Sequence, residues 1–219
     1  MLSTTRPAPR MRFPWRLSPL FLGLLLLPLS PLSATVYQVD PARSKVEVLV
    51  IRGGLLGVFG HDHEIVSWKL TGTIDYVPSS VPSLEADVSL PASSLTVVDP
   101  EDPLQERKEV QSTMRGKRVL DVDRYPEIHF TSTGASPAPT APQILLSGDL
   151  ALHGTVRRIC FPVRITPAPG AIRAAGTAKV RQSDFGIEPI RFAAGTVRIK
   201  DQVEIHFTVL ARERAPAAP

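Results

Sequence analysis

The sequence predicts an all-β protein, an antiparallel barrel of about eight strands with one short helix. Apolar and polar residues alternate through many short segments of the 219-residue chain, and a period of two puts the apolar set on one face of a strand. The segments have ordinary strand lengths and many are joined by short turns. Closure of such strands into a barrel removes the exposed sheet edges, so a barrel is the favoured architecture.

The strand predictions rest on nine segments. The alternation is clearest at residues 68–76, 84–90, 172–180 and 203–209. Further candidates are residues 46–51, 128–132, 144–152, 156–165 and 192–199. Between two of these segments, His153-Gly154 predicts a hairpin turn.

One segment instead predicts a helix of about three turns. In Asp102-Pro103-Leu104-Gln105, an N-cap residue is followed by Pro at the first helical position, and Gln stands three residues after the cap. Gly116 is a typical helix stop. The apolar stripe is narrow, which favours a helix lying across a barrel mouth or edge.

The first 34 residues have the parts of a secretory signal peptide. Four Arg residues precede an apolar run at residues 17–29, and Leu32-Ser33-Ala34 supplies the small residues before a cleavage site. The alternative is a membrane anchor, because the uncharged run is 18 residues long, but its three Pro residues favour cleavage. We expect cleavage near Thr35, a barrel domain over residues 35–211, a disordered tail over residues 212–219, and a periplasmic or secreted protein.

Charge and cysteine content exclude several classes. Residues 1–34 contain four Arg and no acidic residue, so the rest of the chain has 21 basic and 21 acidic residues. No basic stripe with interleaved aromatic residues is present, so we predict no nucleic-acid partner. Cys160 is the single cysteine and is expected to be buried between Ile159 and Phe161.

His61-Asp62-His63-Glu64 has the strongest chemical character in the sequence. Two His at i and i+2 of an extended segment face the same side and can contact one metal ion, although a third ligand would have to come from elsewhere. The alternative is a polar strand start whose His residues bond backbone or water. Nucleophile and phosphate-loop motifs are absent. We therefore predict no catalytic residues, no cofactor and no enzyme, and a metal-binding protein using His61 and His63 is the alternative function.

Four stretches in the same order resemble YceI-like proteins. They are Tyr37-Gln38-Val39-Asp40-Pro41-Ala42-Arg43-Ser44, Leu120-Asp121-Val122-Asp123-Arg124-Tyr125-Pro126-Glu127-Ile128-His129-Phe130, Gly148-Asp149-Leu150-Ala151-Leu152-His153-Gly154 and, with one residue inserted, Arg181-Gln182-Ser183-Asp184-Phe185-Gly186-Ile187. The resemblance covers about residues 36–210. It implies an exported, lipocalin-like barrel without general catalytic activity, whose apolar lumen binds a polyisoprenoid chain in some members.

Trp68, Phe130, Ile144 and Leu150 are the predicted ligand-binding residues, because they lie on strands whose inward sets are mostly aliphatic. The predicted ligand is a polyisoprenoid or another long-chain lipid. Small inward residues would widen the lumen, or would let opposite walls pack closely; they are Gly72, Ala86, Ala174, Gly176 and Ala178. A barrel filled by its own side chains is therefore the other outcome. No oligomeric state is predicted.

Overall fold

The alternating segments form strands in the computed structural model, which describes residues 35–53, 62–77, 80–100, 102–192 and 197–214. The predicted signal peptide, His61 and the last five residues lie outside these ranges. The strands are β1 (Thr35–Val39), β2 (Lys45–Val50), β3 (Arg52–Gly53), β4 (His63–Ser67), β5 (Thr71–Val77), β6 (Ser80–Pro91), β7 (Thr96–Val97), β8 (Glu127–Pro137), β9 (Gln143–Leu152), β10 (Thr155–Ala168), β11 (Ala171–Arg181), β12 (Arg191–Phe192), β13 (Val197–Ile199) and β14 (Gln202–Glu213). The helix α1 spans Leu104–Arg115.

These strands close into an eight-stranded antiparallel barrel, as predicted. The ring runs β1-β5-β6-β8-β9-β10-β11-β14, and the pairing of β14 with β1 closes it. Three walls of the barrel, each the length of one strand, are interrupted and consist of two strands each. The strands β2, β4 and β7 continue β1, β5 and β6 respectively, and they pair with one another in the order β2-β4-β7 beside β14. The β3, β12 and β13 strands form a separate three-stranded sheet.

Serine hydroxyls form hydrogen bonds where those three walls are interrupted. The hydroxyl of Ser44, between β1 and β2, accepts from the Leu210 amide at 3.1 Å and donates to the Leu210 carbonyl at 3.3 Å. At the other two breaks, the hydroxyls of Ser67 and Ser94 lie 2.7 Å apart. Because buried polar groups need such partners, these contacts let the strands bend without opening the barrel.

The α1 helix covers the edge of β7, as predicted. The side-chain amide of Gln111 donates to the Leu95 carbonyl and accepts from the Val97 amide, each at 2.8 Å, which replaces the bonds of a neighbouring strand. The helix ends at Gly116, but Pro103 occupies its N-cap position and makes no side-chain cap bond. The N-cap prediction for Asp102 is wrong by one residue, because its side chain is buried beside His63. No helix within the described ranges is long and apolar enough to cross a membrane.

Four other expectations need correction. Residues 192–199 are not one strand, since β12 ends at Phe192 and β13 begins at Val197. The β14 strand continues through Arg212 and Glu213, which pair with β1, so the predicted tail begins too early. Cys160 is exposed, because its neighbours Ile159 and Phe161 take the inward positions of β10. Trp68 is 50% exposed in the turn between β4 and β5.

Candidate ligand-binding cavity

The inward faces of the strands enclose a cavity of about 240 Å³. Within the described chain, every lining residue is apolar except Gln182. Lining residues on β11 extend from Ala174 to Val180, which is ~20 Å along the strand and roughly 15 Å along the barrel axis after strand tilt. The cavity is therefore elongated, and burial of apolar surface is the interaction that its walls offer.

Packed side chains form a floor at the end of the cavity remote from α1. Each floor residue lies two positions beyond a lining residue on the same strand, and all four are buried: Tyr76, Ile144, Ile172 and Ala211. The chain alternates without a break from lining to floor on β9, from Leu146 to Ile144. The lumen is thus open along part of its length and filled at one end.

Three aromatic rings of the cavity lining pack against one another, and two of them lie against glycines that have no side chain to clash with them. The Phe161 ring lies 5.4 Å from that of Phe130 and 5.6 Å from that of Phe207, measured between centroids. A Cβ at Gly148 would lie 2.3 Å from the Phe130 ring, and one at Gly176 would lie 2.7 Å from the Phe207 ring. These glycines therefore allow close packing.

The other small inward residues divide between the two predicted roles. Ala86, Ala174 and Ala178 line the cavity and leave its space open. Gly72 instead permits close approach of neighbouring strands, because a Cβ there would lie 2.1 Å from the Asp87 carbonyl oxygen. Some small residues thus widen the lumen and others permit close packing of the wall, at different positions.

The structure brings together two of the four predicted ligand-binding residues. Phe130 and Leu150 line the cavity, Ile144 lies in the floor, and Trp68 is outside the lining. Phe161 and Phe207 were not among the predicted residues, although both occupy inward positions of the alternating pattern. Contact of any of these residues with a ligand stays a prediction.

A buried polar cluster lies at the α1 end of the barrel. His63 Nδ1 donates to Asp99 Oδ2 at 2.6 Å, and Asp102 Oδ2 lies 4.0 Å from the same nitrogen. The other oxygen of Asp99 accepts from the Glu64 amide at 2.6 Å, which ties β4 to the segment after β7. The ligating atoms of the three side chains lie within 4.8 Å of one another, close enough to share a metal ion. The short hydrogen bond between His63 and Asp99 explains the closeness of these two side chains without a metal ion.

A second set of contacts at the same end of the barrel joins Tyr125, His153 and Phe185. The Tyr125 ring meets the His153 ring edge-on at 4.9 Å and covers Gly154, where a Cβ would lie 2.4 Å from it. His153 Nδ1 donates to the Phe185 carbonyl at 3.1 Å. With φ of 50° and 72°, His153 and Gly154 form the predicted tight turn. The contacts of His153 with Tyr125 and with the Phe185 carbonyl thus hold this end of the barrel together.

Ionised carboxylates form hydrogen bonds on the outer wall and in the turn that follows β11. The Arg158 guanidinium, bidentate to Asp149 at 2.9 and 3.0 Å, lowers the pKa of that carboxyl. The hydroxyl of Ser183 donates to Asp201 at 2.6 Å, and the Ser183 amide donates to it at 2.8 Å. The hydroxyl bond is the main cause of the lowered pKa of Asp201. These bonds fix the turn that begins with Gln182.

Comparison with known proteins agrees on the fold. The family model of the YceI-like domain matches residues 37–211. BcnA of Burkholderia cenocepacia is 21% identical with a TM-score of 0.63, over 79% of this chain and 99% of BcnA. The Campylobacter jejuni YceI protein is 20% identical with a TM-score of 0.51, over 67% of this chain and 82% of that protein. A mutant of the latter is known with a monobromobimane guest. No curated protein matches the chain.

Proposed function

The chain belongs to the YceI-like family, and we propose that it is an exported, non-catalytic binding protein that holds one apolar lipid or polyisoprenoid chain inside its barrel. The observation that carries the proposal is the cavity of about 240 Å³, whose described lining is apolar apart from Gln182. Few polar groups face the lumen, so the ligand is recognised by its apolar surface.

Hydrophobic burial supplies the affinity. Val48, Ile205 and Phe207 point into the cavity yet are only half-buried, so a chain that fills the lumen removes their remaining surface from water. Each 100 Å² of apolar surface buried in this way contributes about 2.5 kcal/mol before the entropy of ordering the ligand is subtracted.

The cavity volume sets the length of chain that it encloses. A cavity of roughly 150 Å³ takes one benzene molecule, so 240 Å³ corresponds to about ten carbon atoms. The floor closes one end, so a longer polyisoprenoid has to continue outward past the α1 end. We therefore expect a single chain, inserted from that end.

Export follows from the N-terminal sequence and is a separate part of the proposal. The Arg-rich start, the apolar run and Leu32-Ser33-Ala34 support cleavage before Thr35. N-terminal sequencing of the protein from its own host is expected to begin at or near Thr35. An intact Met1 on membrane-extracted protein would contradict export by cleavage and favour an anchor.

Lipid analysis tests the binding proposal. Organic extraction of protein purified from its own host, followed by mass spectrometry, is expected to recover a chain-bearing apolar compound. Added polyprenol is expected to raise the thermal unfolding midpoint of delipidated protein. Ala178→Phe places a ring in the lumen, and Ala175→Phe on the same strand is its control, because Ala174 rather than Ala175 lines the cavity. Equal lipid content and equal shifts in both variants would refute binding in the lumen.

A further inference from the structure

The outer surface of β10 and β11 has a positive charge that the balance of the whole chain conceals. Residues 155–181, which are these two strands and their short connection, contain six basic residues and no acidic one, whereas residues 35–219 contain 21 of each. We name this outer surface the basic wall. All six basic side chains are exposed: Arg157, Arg158, Arg164, Arg173, Lys179 and Arg181.

Arg164 and Arg173 form the part of the basic wall near the floor. They point outward, because their neighbours Val163 and Ala174 line the cavity. Thr166 is the partner of Arg173 across the β10–β11 ladder, so the two Arg residues are diagonal neighbours on one face. Within the described part of the chain, neither forms an ion pair. Their charges are therefore directed at whatever lies outside the barrel.

A polar depression of about 380 Å³ lies in the basic wall at the α1 end. Arg157, Arg158, Lys179 and Arg181 line it together with one acidic residue, Asp184. Arg158 and Lys179 are each paired with a carboxylate of a neighbouring strand. Arg157 donates through Nε to the Asp184 backbone carbonyl at 2.8 Å, and neither Arg157 nor Arg181 forms an ion pair among the described residues. Two guanidinium groups of the depression can thus meet an external anion.

The basic wall reaches the open end of the lumen beside an exposed apolar residue. Val156, near the start of β10 and close to the His153-Gly154 turn, is 57% exposed. Arg157 and Arg158 follow it directly in the sequence. This combination suits a bilayer surface, because an apolar side chain enters the boundary between headgroups and acyl chains while neighbouring cations meet the phosphates.

A bilayer fits the basic wall better than a nucleic acid does. The outward positions of β10 and β11 hold no aromatic ring on which a base could stack, since Phe161 points into the cavity. The proposed ligand is itself an apolar chain that dissolves in a bilayer rather than in water. A protein that carries such a chain has to collect it from a lipid surface or deliver it there.

We infer that the basic wall docks on a bilayer that contains anionic phospholipid, with headgroup phosphates against its Arg residues and one phosphate in the depression. The inference rests on the proposed function, because docking gives the carrier access to its ligand. It brings the open end of the lumen next to the membrane, so the apolar chain crosses little water on its way.

Vesicle co-sedimentation of the protein purified from its own host tests this inference. The vesicles consist of phosphatidylcholine, alone or with about 30% phosphatidylglycerol as the anionic lipid. The wild type is expected to bind the anionic vesicles only, and to be released at about 500 mM NaCl because salt screens the attraction. Each basic residue near an anionic surface contributes roughly fivefold to the partition coefficient, so Arg164→Gln with Arg173→Gln is expected to lower it about 25-fold.

The matched control removes the same charge elsewhere. Lys69→Gln with Lys108→Gln changes two exposed residues outside the basic wall and is expected to lower the partition coefficient less than about twofold. Arg164→Lys with Arg173→Lys retains the charge and is expected to bind like the wild type. Thermal unfolding shows that each variant is folded.

Three results would each overturn the inference. The first is an equal loss in the two Gln double variants, which would show attraction by net charge alone. The second is equal binding to vesicles with and without phosphatidylglycerol. The third is tighter binding to single-stranded DNA than to anionic vesicles at the same salt concentration, which would assign the basic wall to nucleic acid.

Uptake of polyprenol added from ethanol separates this inference from the proposed function, since it requires the lumen and no bilayer. Arg164→Gln with Arg173→Gln is expected to take up polyprenol from ethanol like the wild type, and to take it up more slowly from anionic vesicles. If the wild type takes up polyprenol but does not bind anionic vesicles, the inference falls alone. If it takes up no chain from either source, the proposed function falls, and the inference falls with it.

Discussion

The cavity and its floor are two regions of one barrel interior, built from the same kinds of side chain. Ala178 in the cavity wall is 3% exposed and Ala211 in the floor is 0% exposed, and both occupy inward positions on neighbouring strands. Space remains beside Ala178, whereas Tyr76, Ile144 and Ile172 are buried in the region of Ala211. The difference shows that alternation decides which way a side chain points, while the sizes of the residues that meet across the barrel decide whether the space is filled.

Adding the same ring to both regions has the largest expected effect. Ala211→Phe overpacks a filled region and is expected to cost ~3 kcal/mol of the free energy of unfolding, or to prevent folding. Ala178→Phe enters existing space and is expected to cost less than about 1 kcal/mol. Urea unfolding of the delipidated proteins measures both, and equal losses would contradict the distinction between the two regions.

Truncation is expected to give the same order, with the floor more sensitive than the cavity wall. Ile144→Ala opens a new cavity in the floor and is expected to cost about 3 kcal/mol, in the middle of the range for such changes. Leu150→Ala enlarges a cavity that is already there, so we expect a loss of about 2 kcal/mol. Denaturant unfolding without ligand checks the order, and a greater loss for Leu150→Ala would show that the lumen is more tightly packed than its geometry indicates.

The stability of the α1 end depends on buried polar contacts, whereas the stability of the floor depends on apolar packing. Asp99→Ala removes the acceptor of both His63 and the Glu64 amide, and is expected to cost ~2 kcal/mol because buried donors lose their partner. The control is Asp149→Ala, which breaks an exposed pair on the outer wall and should leave the unfolding midpoint unchanged. A harmless Asp99→Ala would mean that the buried cluster does not hold β4 in place.

Acidification is expected to have the smallest effect and to act on the turn of Gln182. The pKa of Asp201 lies below its ordinary value of 3.8 because Ser183 donates to the carboxylate. The stability that this carboxylate contributes is therefore fully present above pH 3.8 and is lost as the pH falls through the lower pKa of the folded protein. Unfolding midpoints at pH 7, 4 and 3 should fall less steeply in Asp201→Asn than in the wild type; identical slopes would remove Asp201 from the explanation.

The side chains that point into the barrel could be predicted from the sequence, because their direction depends on the local alternation of apolar and polar residues. The inward positions of β9 and β10 follow the pattern residue by residue, and the helix stop at Gly116 is equally local. The pattern was extended too far at Trp68, because Ser67 accepts from the Lys69 amide at 3.2 Å and turns the chain there. The apolar neighbours of Cys160 predict burial, but the alternation of β10 points Ile159 and Phe161 inward and Cys160 outward.

The open lumen and the polar cluster could not be predicted in this way. Phe130, Phe161 and Phe207 meet from strands that are distant in the sequence, and their packing depends on Gly148 and Gly176. Asp102 has the sequence context of an N-cap, but tertiary contact with His63 decides its position. The alternation of apolar and polar residues contains no information on the contacts of the three Phe rings or on the contact of Asp102 with His63.

Native mass spectrometry of the wild type beside Ala178→Phe, both purified under the same mild conditions from the protein's own host, tests the central claim most directly. The wild type is predicted to carry one apolar chain per molecule and the variant to carry none, while both remain folded. A wild type with no added mass, which also takes up none when polyprenol or octanol is supplied, would contradict the claim that the lumen is a binding site.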